Sequence, residues 1–335
     1  MRKPDFDNLL AVLARDRPCR PTLFEFFLNT PLDERLTGER LPPGADAVAW
    51  NRLNLHAYHR AGYDYVTIRT GLEFPKGAVH REKTKSLNEG AVIHDRASFE
   101  AYPWPDSAAC DYSAIDILRR ELPPGMKFIG FGPGGVFENL IEYVGFDALC
   151  FMLVDDPDLV QDIVDAIGSR LVAHYETMGQ FDEVGAMISN DDWGFRTQTM
   201  LAPDAMRRYI VPWHRKIAAA IHGCGRPAIL HSCGNLREVM DDIVDVCGYD
   251  AKHSFEDGIM PVEEAYAAFG DRIAILGGID VDFLCRSTPE AVRARSRGML
   301  DLAETRGGYA LGSGNSIPEY VPQENYLAMI SAAMP

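Results

Sequence analysis

Several things are missing from this 335-residue sequence. No window approaches the roughly 20 consecutive apolar residues that a membrane span needs, which argues against a helical membrane protein. The N-terminal stretch MRKPDFDNLLAVLARDRP is charged throughout and lacks the long apolar centre of an export signal. It reads as a short amphipathic helix with Leu9, Leu10, Val12 and Leu13 on its buried side, and the expected location is cytoplasmic. A basic surplus is missing too. With 33 Lys and Arg against 49 Asp and Glu, the net charge is −16. Phosphate recognition needs a basic surface, so nucleic acid and anionic membranes are not expected partners, and a small-molecule substrate is. A disulfide pattern is absent as well. The seven cysteines are odd in number and irregularly spaced, and most read as small buried apolar residues. No short repeat, low-complexity tract or clear linker interrupts the chain, so it reads as a single domain over residues 1–335.

What is present is organised around RPAILHSCGN at 226–235. An apolar run leads straight into His231-Ser232-Cys233-Gly234. Residues two apart on an extended strand point the same way, so His231 and Cys233 face one site. An imidazole and a thiolate side by side suit zinc, and Gly234 lets the chain turn away.

Seven further short runs read as buried strands: 22–27, 63–69, 127–131, 184–189, 249–254, 273–276 and 308–311. With 228–231 this makes eight, the number a (β/α)8 TIM barrel needs. The intervening stretches carry helix signals. Asp156-Pro157-Asp158 offers an N-cap, a proline at the first helical position and an acid in the first turn. Leu159, Ile163, Val164, Ile167 and Leu171 then fall on one face. Thr288-Pro289-Glu290 repeats the device, and Gly307-Gly308 ends that stretch. Ala202-Pro203-Asp204 opens another helical stretch that Pro212 should kink or split. The polar segment 73–124, with Lys76, Arg81, Lys83 and Lys85, reads as a long excursion between the second and third strands. It is a candidate lid or wall of the pocket.

The active site of such a barrel lies at the C-terminal ends of its strands. That rule collects Glu25, Arg69, Asn190, Asp191, Asp192, His231, Cys233, His253, Glu256, Asp257, Asp280, Asp282 and Asn315. Each has a plain structural reading. Asp191 and Asp192 can cap the next helix, and only one of the pair is expected to point into the mouth. Asp280 and Asp282 are equally ambiguous, Glu25 lies in an aromatic run, and a lone His253 is an ordinary core histidine. Gly130-x-Gly132-x-x-Gly135 formally matches a dinucleotide fingerprint, but it contains Pro133 and does not open the chain. Close approach of the backbone to a pocket suits it better.

The blocks Asp192-Trp193-Gly194, His231-Ser232-Cys233-Gly234-Asn235, Gly277-Gly278-Ile279-Asp280 and Pro322-Gln323-Glu324-Asn325 resemble those of the uroporphyrinogen decarboxylase superfamily. That superfamily includes the zinc-dependent corrinoid methyltransferases, and its fold is a (β/α)8 barrel. True decarboxylases grip their substrate with arginines in an R-Q-A-G-R-Y motif. The matching stretch here, Leu23-Phe24-Glu25-Phe26-Phe27-Leu28, has no arginine and one acid, which favours the methyltransferase branch.

That branch implies zinc held by His231 and Cys233. It also implies methylcobalamin as co-substrate, carried by a partner corrinoid protein. The third ligand of the family, a cysteine after the eighth strand, is Ser313 here, so Glu256 is the expected substitute. Asp191, Asp192, His253 and Asp280 are then the expected catalytic groups, and Glu25, Arg69, Asn190 and Asn315 the expected substrate contacts. The rival expectation is a metal-free decarboxylase-like lyase, with Arg69 and Asp191 or Asp192 doing acid and electrostatic work. A non-catalytic corrinoid-binding protein is a third.

Overall fold

The structure, a computed structural model, describes residues 2–77 and 86–334. Arg81, Lys83 and Lys85 of the expected excursion lie outside the described residues. Seven strands form one parallel sheet in chain order: β1 (Tyr65–Arg69), β2 (Lys127–Phe131), β3 (Val184–Asn190), β4 (Ala228–His231), β5 (Ala251–His253), β6 (Ala274–Leu276) and β7 (Tyr309–Ala310). Ile129, Ile188, Ile229 and Ile275 are fully buried, as expected of strands covered on both faces. Helices connect the strands, which gives the expected α/β, TIM-barrel architecture.

The expected first strand at 22–27 differs from the rest. Only Leu23 pairs in a ladder, parallel to Leu311. The Phe24 N–H donates to the Leu311 carbonyl at 2.8 Å, and the Leu311 N–H donates to that of Thr22 at 2.8 Å. Toward β1, side chains replace the ladder. The Tyr65 hydroxyl donates to the Glu25 carbonyl, and the Tyr58 and Thr67 hydroxyls donate to that of Phe26. These hydroxyls satisfy the carbonyls that a strand would have offered to backbone amides, so the ring closes without an eighth full strand.

The helix signals act as expected. The Asp156 carboxylate accepts the Leu159 N–H and starts the helix Pro157–Met178, whose apolar stripe is buried. Thr288 caps Pro289–Ala303 in the same way. The stretch after Ala202 splits into Pro203–Ala205, a wide turn at Met206–Ile210 and the helix Val211–Gly223. Pro212 follows that wide turn directly, so its missing N–H falls where the helical ladder is already interrupted. The N-terminal helix is short, Asp7–Leu13, and buries Leu9, Val12 and Leu13. Leu10, expected on the buried side, is 36% exposed because it falls off that stripe. No helix among the described residues is long and apolar enough to cross a membrane.

Candidate metal centre

Strand register sets the site. Asn190, His231 and His253 are lateral partners on β3, β4 and β5, so their side chains share one face of the sheet. His231 and His253 bring their Nδ1 atoms to 2.7 Å. The other nitrogen of His231, Nε2, lies 3.8 Å from Cys233 Sγ.

The loops after β3 and β4 then touch backbone to backbone. Gly234 has φ +85°, and a Cβ there would lie 2.1 Å from the Gly194 carbonyl oxygen. Only glycine permits that approach. The Asn235 N–H donates to the Phe195 carbonyl at 2.7 Å across the same contact. This seam carries Asp192 to Cys233, whose N–H donates to Asp192 Oδ1 at 2.8 Å. One ligand atom from each of Asp192, His231 and Cys233 lies within 4.8 Å of the others. Nitrogen, sulfur and oxygen from three side chains are donor types of a zinc site that keeps a position for substrate.

Burial dominates the electrostatics of the cluster. Burial, with the Asp192 carboxylate second, pushes the Cys233 thiol up to about 12. Yet the sulfur is treated as an acceptor: Asn315 Nδ2 donates to it at 3.0 Å and the Ser254 hydroxyl at 3.5 Å. Two donors aimed at a sulfur are surroundings for a thiolate, and a cation in the cluster stabilises that form. Burial also raises Asp192 and lowers His231, and it brings His253 down to about 3.

The remaining expected residues are placed as follows. Asp191 faces away from the cluster and is fully buried. It accepts from the Phe137 and Glu138 N–H groups, Trp193 Nε1 and His214 Nε2, and so caps the helix Val136–Val144, whose N-cap Gly135 has no side-chain oxygen. Asp280 caps Val281–Arg286 through the Phe283 N–H, and its other oxygen accepts the Asp257 N–H. Glu25 is fully buried, accepts the Ser313 N–H at 2.6 Å and its hydroxyl at 2.8 Å, and is pushed up to about 8 by burial. Its expected substrate contact is thus spent on Ser313. Arg69 is 44% exposed and paired with Glu73 at 2.7 Å. Asn190 donates to Glu138 at 3.3 Å. Glu256, the expected third ligand, is not in the donor group. Asp192 stands there instead, because the Gly194–Gly234 seam brings the β3 loop closer.

Beside a small hollow lined by Gly234, Arg237, Lys252, Ser254 and Glu256, two larger clefts flank the cluster. One of about 620 Å³ is lined by Phe27, Glu256, Asp280, Asn315 and Tyr320, and one of about 390 Å³ by Leu87, Glu138, Asp192, Phe195 and Met200. The described part of the excursion therefore forms a wall of the second. Neither cleft is lined by an arginine or lysine among the described residues.

Sequence reading missed four groups: Glu138, His214, Ser254 and Lys252. Lys252 is buried, lies over the Phe255 ring at 4.3 Å, donates to the Ser232 and Ser254 carbonyls, and is brought down to about 8 by burial. A lysine inside a short apolar run was the available signal for it. His214 and Glu138 sit on helices and offered none.

Fold and site together describe a TIM-type barrel with a half-buried N, S, O donor cluster at the C-terminal ends of its strands. The sequence profile of the uroporphyrinogen decarboxylase (URO-D) family matches residues 46–334, and the chain belongs to that family. It is 26% identical over 235 residues to a uroporphyrinogen decarboxylase of Bordetella petrii, covering 67% of this chain and 63% of that protein. It is 27% identical over 218 residues to one of Syntrophotalea carbinolica, covering 63% and 60%. The chain thus matches less than two thirds of the length of these relatives. A methyltransferase from Methanosarcina mazei shares the fold, with a TM-score of 0.77 at 19% identity over 97% of both chains.

Proposed function

We propose that this chain is a zinc-dependent methyltransferase that moves a methyl group between a corrinoid, methylcobalamin on a partner protein, and a small thiol or related acceptor. The observation that carries this reading is the convergence of Asp192, His231 and Cys233 on one point at the barrel mouth. These three would hold the ion. When bound, zinc supplies the positive charge that keeps an acceptor thiol deprotonated at neutral pH. Asn315 and Ser254 hold the Cys233 sulfur as an acceptor, and the clefts on either side admit the two substrates.

A metal-free decarboxylase is the second reading, favoured by the names of the curated relatives. The two clefts suit it poorly. A polycarboxylate substrate would meet Glu256 and Asp280 on one side and Asp192 on the other, with Arg69 already paired to Glu73. Like charges at such a mouth repel that substrate.

Zinc analysis of protein purified without added metal, together with loss of the methylcobalamin absorbance on mixing with small thiols, tests the proposal. About one equivalent of zinc and thiol-dependent demethylation are expected. Release of carbon dioxide from a porphyrinogen by metal-free protein would establish the decarboxylase instead.

A further inference from the structure

A buried chain of contacts behind His231 is used by neither reading. It runs from Glu25 through Ser313 and His253 to His231. It bears on the proposed metal centre and rests on that reading only for the role of His231.

The Ser313 carbonyl oxygen has no proton to give. It lies 3.3 Å from His253 Nε2 and also accepts the Gly278 N–H at 2.8 Å. His253 must therefore carry its proton on Nε2 to make that bond. Both histidine rings pack against aromatics, Phe24 on His253 at 5.1 Å and Phe26 on His231 at 4.7 Å. Neither ring has a carboxylate hydrogen-bond partner among the described residues, so neither holds a positive charge comfortably. A neutral His253 protonated at Nε2 offers a lone pair at Nδ1. The 2.7 Å contact between the two Nδ1 atoms then needs its proton on His231. That leaves the lone pair of His231 on Nε2, the nitrogen that faces Cys233 Sγ.

From this geometry we infer that His253 is a positioning residue: anchored by the Ser313 carbonyl, it forces His231 into the tautomer whose Nε2 lone pair points into the Asp192–Cys233 cluster.

The anchor is itself held at both ends. Glu25 takes both the N–H and the hydroxyl of Ser313, which fixes the residue whose carbonyl His253 reads. On the other side Gly277, at φ +69°, packs against the contact. A Cβ there would lie 2.2 Å from the Ser313 carbonyl oxygen and 3.0 Å from His253 Nε2. This gives physical reasons for two features of the sequence. Gly277 is a glycine because a side chain would wedge the relay apart. Ser313, a poor metal ligand, has its hydroxyl committed to Glu25 and serves through its backbone.

Tautomers are read directly by long-range proton–nitrogen correlation NMR on metal-free wild-type protein with labelled histidine. Protonated Nδ1 and unprotonated Nε2 are expected at His231, and the reverse at His253. A His231 protonated at Nε2 overturns the inference. The second arm is zinc affinity by chelator competition. His253→Phe removes the acceptor and should weaken zinc binding about 10–100-fold. His253→Asn keeps a polar atom near the Nδ1 position and should hold affinity to within about fivefold of wild type. Wild-type affinity in His253→Phe, with its melting transition intact, also overturns the relay. Wild-type protein that takes up no zinc overturns the metal reading instead, and the NMR tautomers still decide the relay.

Discussion

Two histidine–carboxylate assemblies stand side by side at the end of β3, built from adjacent residues with opposite fates. Around Asp191 every donor has found its acceptor. The carboxylate takes two helix amides, the Trp193 indole and His214, and the far nitrogen of His214 meets the Tyr249 hydroxyl at 2.7 Å. Around Asp192 the groups face one another instead. A carboxylate, an imidazole and a thiol converge with more lone pairs than protons to share. Closed polar networks hold a fold in one arrangement, whereas half-buried acceptors that face one another leave lone pairs for a ligand to take up. The first assembly is thus scaffold and the second is the candidate site.

The sharpest way to break that comparison is Asp191→Ala. It strands four buried donors at once and removes the cap of Val136–Val144. A loss of about 3–5 kcal/mol in urea unfolding is expected, since each buried donor left without its acceptor is costly. A loss below about 1 kcal/mol would mean that Asp191 is no scaffold. His231→Ala should do the opposite. Zinc affinity falls by at least about 100-fold, while metal-free protein loses less stability than Asp191→Ala does. Equilibrium dialysis and melting curves on the same two variants separate the cases.

The next contrast is smaller and decides the third ligand. Asp192→Asn keeps the size of the side chain and removes its charge, so zinc should bind about 10–100-fold more weakly. Glu256→Gln should leave affinity within about twofold, because Glu256 lies outside the donor group. The reversed pattern would restore Glu256 as the ligand and reduce Asp192 to a loop contact.

The physics of this site explains what the sequence revealed. His231 and Cys233 were readable because strand alternation alone puts them on one face. The barrel was readable because most of its strands carry short apolar runs. The choice between Asp191 and Asp192 was not readable. Successive residues on an extended chain point to opposite sides, so one had to face inward, and the position of a distant helix decides which. The preference for Asp192 over Glu256 depends on two glycines meeting across loops, a contact between residues 194 and 234 that no local pattern encodes. The weak first strand escaped for a similar reason, since its carbonyls are claimed by hydroxyls from Tyr58, Tyr65 and Thr67. Glu25 followed the strand-end rule but ended behind the site, holding Ser313.

Glu138 links the two assemblies and gives the smallest predicted effect. Burial raises its carboxyl to about 8, and the charges of Asp191 and Asp192 add to the shift. In the unfolded chain the same group titrates near 4.5. Below that pH both states hold the proton. Between about 4.5 and about 8 only the folded state does, so folding takes up a proton and stability falls as pH rises through that window. Glu138→Gln has no proton to lose, and its unfolding free energy should decline less between pH 5 and pH 8, by about 1–3 kcal/mol. Glu25, raised to about 8, and Asp33, raised to about 7, act with the same sign, so the slope should shrink rather than vanish. Urea midpoints at the two pH values read the difference. Parallel curves for variant and wild type would mean that Glu138 is ionised in the folded protein. The cleft beside Asp192 would then carry one more negative charge than the geometry supports.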